Sequence, residues 1–315
     1  MYLSCGDSLF DVFADPETDV ATIGLKGRVG GSPLNVALGL ARLGHRSSFF
    51  TKLSSDIFGK RLTGFMDREA IGREFAIPTD RHTTLAIVSL SEAGSASYDF
   101  YIEGTADRSI EPEEVPASFP NELLGIHLAS YSTVTEPTAS ALAKLAKQES
   151  GRRFISYDPN IRASIEPDLD LWRAKVRELV PLSTLVKASE EDLEQLYPGR
   201  AIDTVLSDWL DLGAEAAVVT RGEHGAVAAL KNGLRAEAEG LPVAVIDTVG
   251  AGDTFQAALI AWLIENGRLS RDGLQTAGAA ELNALLAFAI RAAAVTCSRL
   301  GADLPRRADL GLAVL

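Results

Sequence analysis

Apolar residues along this chain recur with two different periods. Leu34, Ala37, Leu38, Ala41 and Leu43 follow Pro33 at helical spacing and Gly44 ends the run, which predicts a first helix from Pro33. A short strand around Tyr2 to Cys5 precedes it and ends at Gly6-Asp7; a strand at Ser47 to Lys52 and a helix from Asp56 to Glu69 follow. From residue 124 onward strand and helix alternate. Strands are expected at 124–129, 153–157, 183–187 and 215–220, and helices at 136–149, 168–179, 189–196 and 203–211. Strands separated by helices of this length imply right-handed crossovers and a mostly parallel sheet, whose ligands bind at the carboxyl ends of the strands.

Residues 83 to 103 break that rhythm. Thr84 to Leu90 and Ser97 to Ile102 read as two strands joined by a polar turn with Gly94, the second alternating aromatic and polar residues as a sheet with one open face does. Residues 10–29 are expected to add strands to the same small sheet. The chain is therefore expected to be one α/β domain spanning residues 1–315, with an inserted lid made from about 10–29 and 83–107.

Composition narrows the class. Of 315 residues, 46% are apolar and 23% charged, as in ordinary globular enzymes. The net charge of −13 and the lack of a basic stripe speak against nucleic-acid binding. Cys5 and Cys297 both lie in apolar segments and are expected to be buried, reduced thiols. The apolar stretch Leu285 to Cys297 is interrupted by Arg291 and is expected to be a buried helix rather than a membrane span. No charged-then-apolar leader precedes Tyr2, so the expected location is cytoplasmic.

Candidate chemistry concentrates in Asp247-Thr248-Val249-Gly250-Ala251-Gly252-Asp253-Thr254-Phe255. A strand is expected to end at Asp247. A turn of small residues then opens an apolar helix with Asp253 in its first turn. Backbone N–H groups in such a turn approach an anion closely, and the adjacent carboxylate is placed to act as a general base for a hydroxyl. The same residues would also make a plain acid-started helix. No Walker A loop, no Gly-x-Gly-x-x-Gly and no His-Glu-x-x-His is present, which excludes the commonest nucleotide and zinc motifs. A second cluster, Gly30-Gly31-Ser32-Pro33-Leu34-Asn35, opens the first helix with two glycines that expose backbone and an asparagine able to donate to and accept from hydroxyls.

Together these two motifs resemble the signatures of the ribokinase-like sugar kinases, the PfkB family, and the resemblance runs over nearly the whole chain. Asp11 after Gly6, Asp158-Pro159-Asn160 with Arg162, Lys187 before Ser189 to Asp192, and Thr220-Arg221-Gly222 ahead of Gly225 support it. The resemblance implies a three-layer α/β/α body with a β-sheet lid. It implies ATP as phosphoryl donor with Mg²⁺, and a monovalent cation such as K⁺ near Asp247. Asp253 would be the catalytic base and Gly250, Ala251 and Gly252 the anion hole. Asp11, Gly30, Gly31 and Asn35 would hold sugar hydroxyls. Lys187, Ser189, Thr220, Gly222 and Gly225 would line the nucleotide site, with Asp192 near the metal. It also implies a homodimer paired through the lid. Two positions depart from the pattern: Ser189 stands where many relatives carry Asn, and Ile290 where many carry a polar residue.

The sugar is named less sharply. Thr83 to Ala86, Phe100-Tyr101, Gly104 to Asp107 and Asp158 to Arg162 resemble the fructokinase branch, with Tyr101 expected over the sugar and Arg162 facing a carboxylate or phosphate oxygens. 2-Keto-3-deoxygluconate kinases share part of this pattern. A ribokinase or nucleoside kinase of the same fold, and a non-catalytic sugar sensor, are the other readings. The lid stretch 83–107 contains no extra basic residue, which favours an unphosphorylated sugar.

Overall fold

The structure is a computed structural model that describes residues 1–15, 20–90 and 96–315. In chain order its elements are β1 (Tyr2–Cys5), β2 (Leu9–Ala14), β3 (Leu25–Gly30), α1 (Ser32–Arg42), β4 (Ser47–Phe50), β5 (Lys52–Ser54), α2 (Ile57–Arg68), β6 (Ile77–Thr79), β7 (Thr84–Leu90), β8 (Ala96–Tyr101), β9 (Gly125–Ala129) and α3 (Thr138–Glu149). They continue with β10 (Phe154–Asp158), α4 (Leu169–Leu179), β11 (Leu185–Ser189), α5 (Glu190–Leu196), α6 (Ile202–Leu212), β12 (Ala216–Thr220), β13 (Ala226–Leu230), β14 (Arg235–Ala238), α7 (Ala251–Glu265), α8 (Arg271–Gln275) and α9 (Ala279–Cys297).

The main sheet has eight strands in the order β14-β13-β12-β11-β10-β9-β1-β4. Pairing is parallel from β4 to β12, and β13 and β14 extend the edge antiparallel. Successive residues of each strand feed opposite layers, as the two-residue period requires. Tyr2, Phe154, Leu185 and Val218 pack under α7 and α9. Their neighbours Leu3, Ile155, Val186 and Val219 pack against residues of α3, α4 and α6. The expected three-layer mixed α/β architecture is present.

β3-β2-β7-β8 form a separate four-stranded sheet, built from the two stretches read as one lid. Its register sets one row across all four strands: Arg28, Asp11, Ala86 and Phe100. The expected turn at Gly94 falls outside the described residues.

Two expectations need correction, and one, the helix at 285–297, holds but extends further. No strand ends at Asp247: residues 239–250 form no strand, and Val245 and Ile246 are 63% and 62% exposed. The segment is tied instead to α9 by Ile246 N–H and Asp247 N–H donating to Cys297 O. The apolar stretch at 285–297 is the end of a longer helix, α9, which is 19 residues and packs on α7. Both cysteines are free, but only Cys5 is buried; Cys297 is partly exposed.

Candidate active site

The first turn of α7 is shaped by Gly250. Its φ of 79° is left-handed, and a Cβ there would lie 2.8 Å from that of Ala302, so a side chain is excluded twice over. The helix N-terminus that follows leaves backbone N–H groups without helical acceptors, and their partial positive charge favours an anion. Asp253, buried in this turn, accepts from Ser32 Oγ at 2.6 Å and from Asn35 Nδ2 at 2.8 Å, one donor per carboxylate oxygen. The two motifs, distant in sequence, therefore meet through three side chains.

Lys187 completes this end. It sits one turn of the strand before the end of β11, fully buried, with Nζ donating to Asp158 Oδ2 at 2.8 Å. A Cβ on Gly252 would be 3.2 Å from Nζ, so the ammonium faces the anion turn directly. Burial opposes its charge, but Asp158, Asp192 and Asp253 outweigh it and hold its pKa above the ordinary value. Burial pushes Asp158 up to about 6 against the pull of Lys187, so the pair is charged at neutral pH.

The lid side begins at Gly31. Its φ is 113°, and a Cβ there would strike the carbonyl oxygen of Asp7 at 2.5 Å. Gly30 has a different reason to lack a side chain: Asp11 Oδ2 lies 2.3 Å from where its Cβ would be. Burial raises Asp11 to about 6, with Arg162 pulling it down. Asp7 accepts from Ser132 Oγ at 2.5 Å. Burial pushes Asp7 up to about 7; Ser132 and Arg162 lower it and Asp107 raises it. Arg162 Nη1 donates to Ile161 O at 3.0 Å, leaving the rest of its guanidinium free to act on Asp7 and Asp11.

At the other strand ends, Ser189 pairs with Thr220 across β11 and β12. Ser189 caps α5 in a reciprocal box with Asp192: Asp192 N–H donates to Ser189 Oγ at 3.0 Å, and Ser189 N–H to Asp192 Oδ2 at 2.9 Å. Asp192 Oδ1 accepts from Ile161 N–H at 2.8 Å, which ties the Arg162 loop to this corner. Gly222 and Gly225 both have positive φ in the turn between β12 and β13. Space around Gly222 is open, whereas Gly225 lies against Ala238 O of β14, so Gly222 is the one open to a ligand.

Two sequence-predicted residues stand apart. Tyr101 is 61% exposed and falls in the row of Leu85, on the opposite face of the lid from Asp11; Phe100 shares the row of Asp11. Asp247 spends both oxygens bracing its loop, accepting from Val249 N–H at 3.0 Å and Gly301 N–H at 2.8 Å. Among the described residues no three His, Cys, Asp or Glu side chains gather to hold a metal. A divalent cation here would rely on one or two carboxylates, with Asp192 nearest to hand, and on phosphate oxygens, which is the habit of Mg²⁺. Sequence reasoning missed Ser32, Asp158 as the partner of Lys187, and Asp7. Each stood beside a motif already noted, but partners so far apart in the chain carry no spacing signal.

A three-layer α/β body, a sheet lid, and a buried lysine and aspartate at a helix N-terminus define an ATP-dependent sugar phosphotransferase. The chain belongs to the pfkB family of carbohydrate kinases, whose family model matches residues 3–308. It is 33% identical over 263 residues to a fructokinase of Rhizobium leguminosarum bv. trifolii, covering 84% of this chain and 79% of that protein. The structure of fructokinase with bound ATP from Xylella fastidiosa matches with a TM-score of 0.87 at 23% identity, over 98% of this chain and 96% of that chain. Fructokinase from Vibrio cholerae in its fructose, ADP and calcium ion bound form matches with a TM-score of 0.82 at 26% identity, over 98% and 97% of the two chains. The fold is ribokinase-like.

Proposed function

We propose that this kinase phosphorylates fructose, with Asp253 as the base. The observation that carries the chemistry is Asp253 held between Ser32 and Asn35 beside the Gly250 turn. Phosphoryl transfer needs positioning and charge neutralisation more than covalent help. The N–H groups of Gly250, Ala251 and Gly252, together with Lys187, neutralise the transferring group. Asp253 accepts the proton of the attacking hydroxyl, and its two donors fix the direction of that acceptance. Mg²⁺, held by nucleotide phosphates and Asp192, supplies further positive charge when bound. Ser189, Thr220 and Gly222 line the nucleotide end; Asp11, Gly30, Gly31 and Asn35 hold the sugar; Arg162 orients Asp11.

Fructose is supported by the fructokinase relatives and by the resemblance of the lid and the Asp158–Arg162 loop. Higher kcat/KM for fructose than for ribose, 2-keto-3-deoxygluconate or adenosine is expected when ATP consumption is assayed over that panel. A preference for the keto acid would replace fructose with the runner-up, in which Arg162 pairs with the acid's carboxylate. The chain is proposed to act as one domain, 1–315, with its lid at 10–29 and 83–107, in the cytoplasm. Exposed Phe13, Leu25 and Tyr101 on the lid support a homodimer through that sheet. A monovalent-cation site near Asp247 is proposed from the family resemblance alone. Sedimentation checks the dimer, EDTA the Mg²⁺ requirement, and replacement of K⁺ by Na⁺ the monovalent cation.

A further inference from the structure

We infer that a second, anion-binding site lies in the cavity between lid strand β3 and helix α2, and that it takes a small phosphate-bearing anion. The cavity has a volume of about 520 Å³, within the range of small-molecule sites. Its wall carries four arginines, Arg28, Arg42, Arg61 and Arg68, and one carboxylate, Asp303.

The positive charge is not internally cancelled. Arg42 is committed: Nε and Nη2 each donate to Glu69 at 3.1 Å, and Nη1 to Asp303 at 2.8 Å. Glu69 also meets Arg306 at 2.8 Å and Arg68 at 3.6 Å, so one carboxylate faces three guanidinium groups. Arg61 has no hydrogen bond or ion pair among the described residues. Arg28 reaches across from the lid, stacking 5.9 Å over Phe13 with its Nη1 against Gly301. A chain of net charge −13 has placed an arginine-rich concavity here against its overall charge.

Guanidinium forks match phosphate oxygens in geometry and charge. An anion here would connect Arg28 of the lid to Arg61 and Arg68 of the body. The α2 wall has room between Arg61 and Arg68, because a Cβ on Gly64 would meet nothing within 4 Å. Its lining includes none of the residues at the nucleotide end, but it borders the catalytic centre through Asn35, whose amide is already given to Asp253, and through Ala302, which lies against Gly250. The inference does not depend on which sugar is phosphorylated.

The test is calorimetric titration of the full chain with inorganic phosphate and, separately, with fructose 6-phosphate. Saturating fructose and a non-hydrolysable ATP analogue are present throughout, so that the catalytic site is filled. Saturable binding is expected for at least one anion, weakened about tenfold or more in Arg61→Ala/Arg68→Ala, with anion-free turnover on fructose unchanged. Gly64→Glu, which puts a carboxylate into the open wall by an independent route, is expected to abolish binding. Tighter binding of the sugar phosphate identifies a phosphosugar ligand; equal binding identifies the phosphate group alone. No saturable binding, or unchanged affinity in both variants, would overturn the proposal.

Discussion

Lys187 and Asp158 show how a single buried pair serves both fold and chemistry. The pair is almost fully sheltered from solvent, so either charge left alone is expensive, on the order of 3–5 kcal/mol. Lys187→Met is therefore expected to lose both stability and turnover. Lys187→Met/Asp158→Asn removes the stranded charge and is expected to recover most of the melting temperature but not kcat, because the anion turn still lacks its ammonium. Thermal melts and steady-state kinetics on both variants separate the two roles; recovery of turnover in the double variant would show that Lys187 is only structural. Ser189 is the residue-scale departure from the family pattern, and its geometry is self-consistent. A serine closes the capping box with Asp192, so the corner is built by a local hydrogen-bond pair that an asparagine would make differently.

At the scale of elements, the register of the four-stranded sheet sets which aromatic shares a face with Asp11. Phe100 lies in the row of Asp11, and Tyr101 in the row on the other face. Phe100→Ala is expected to raise KM for the sugar about tenfold or more, the worth of one buried aromatic face, while Tyr101→Ala leaves KM nearly unchanged. The reverse result in fructose kinetics would mean that the lid pairs in another register when it closes. Much of this architecture could be read beforehand. The periodic runs at 136–149 and 168–179 became α3 and α4 within two residues, because amphipathic spacing is local. The strands β13 and β14 were not legible, since Ala226–Leu230 and Arg235–Ala238 carry no clear alternation. The apolar run before Asp247 looked like a strand, yet its backbone is tied to the end of α9 at Cys297 O instead of to the sheet. Which of Phe100 and Tyr101 shares the row of Asp11 was not legible for a related reason: sequence shows that a strand alternates, but not which phase faces the site. Asp253, Asn35 and the glycines were legible because their roles depend on backbone conformation and immediate neighbours.

At the scale of the whole molecule, the acidic chain buries carboxylates beneath its lid, and this fixes a pH response. Asp7 is raised to about 7 from an ordinary 3.8, chiefly by burial. Between those values the folded chain holds a proton that the unfolded chain has released, so this group's contribution to stability falls as pH rises from about 4 to about 7 and stays low above. His127, lowered to about 3 by burial and by Lys187, acts oppositely below the ordinary histidine value. Asp7→Asn keeps an acceptor for Ser132 and removes the charge; it is expected to raise the melting temperature clearly more at pH 8 than at pH 5. Equal effects at both pH values in paired thermal melts would contradict the assignment. The central claim is that the Gly250 turn and Asp253 transfer a phosphoryl group from ATP to a sugar hydroxyl. Its most direct test is the turnover of Asp253→Asn with ATP and fructose, alongside a thermal melt. The account predicts a fall in kcat of roughly 10²–10⁴ with the melt preserved; near-normal kcat in a folded variant would contradict it.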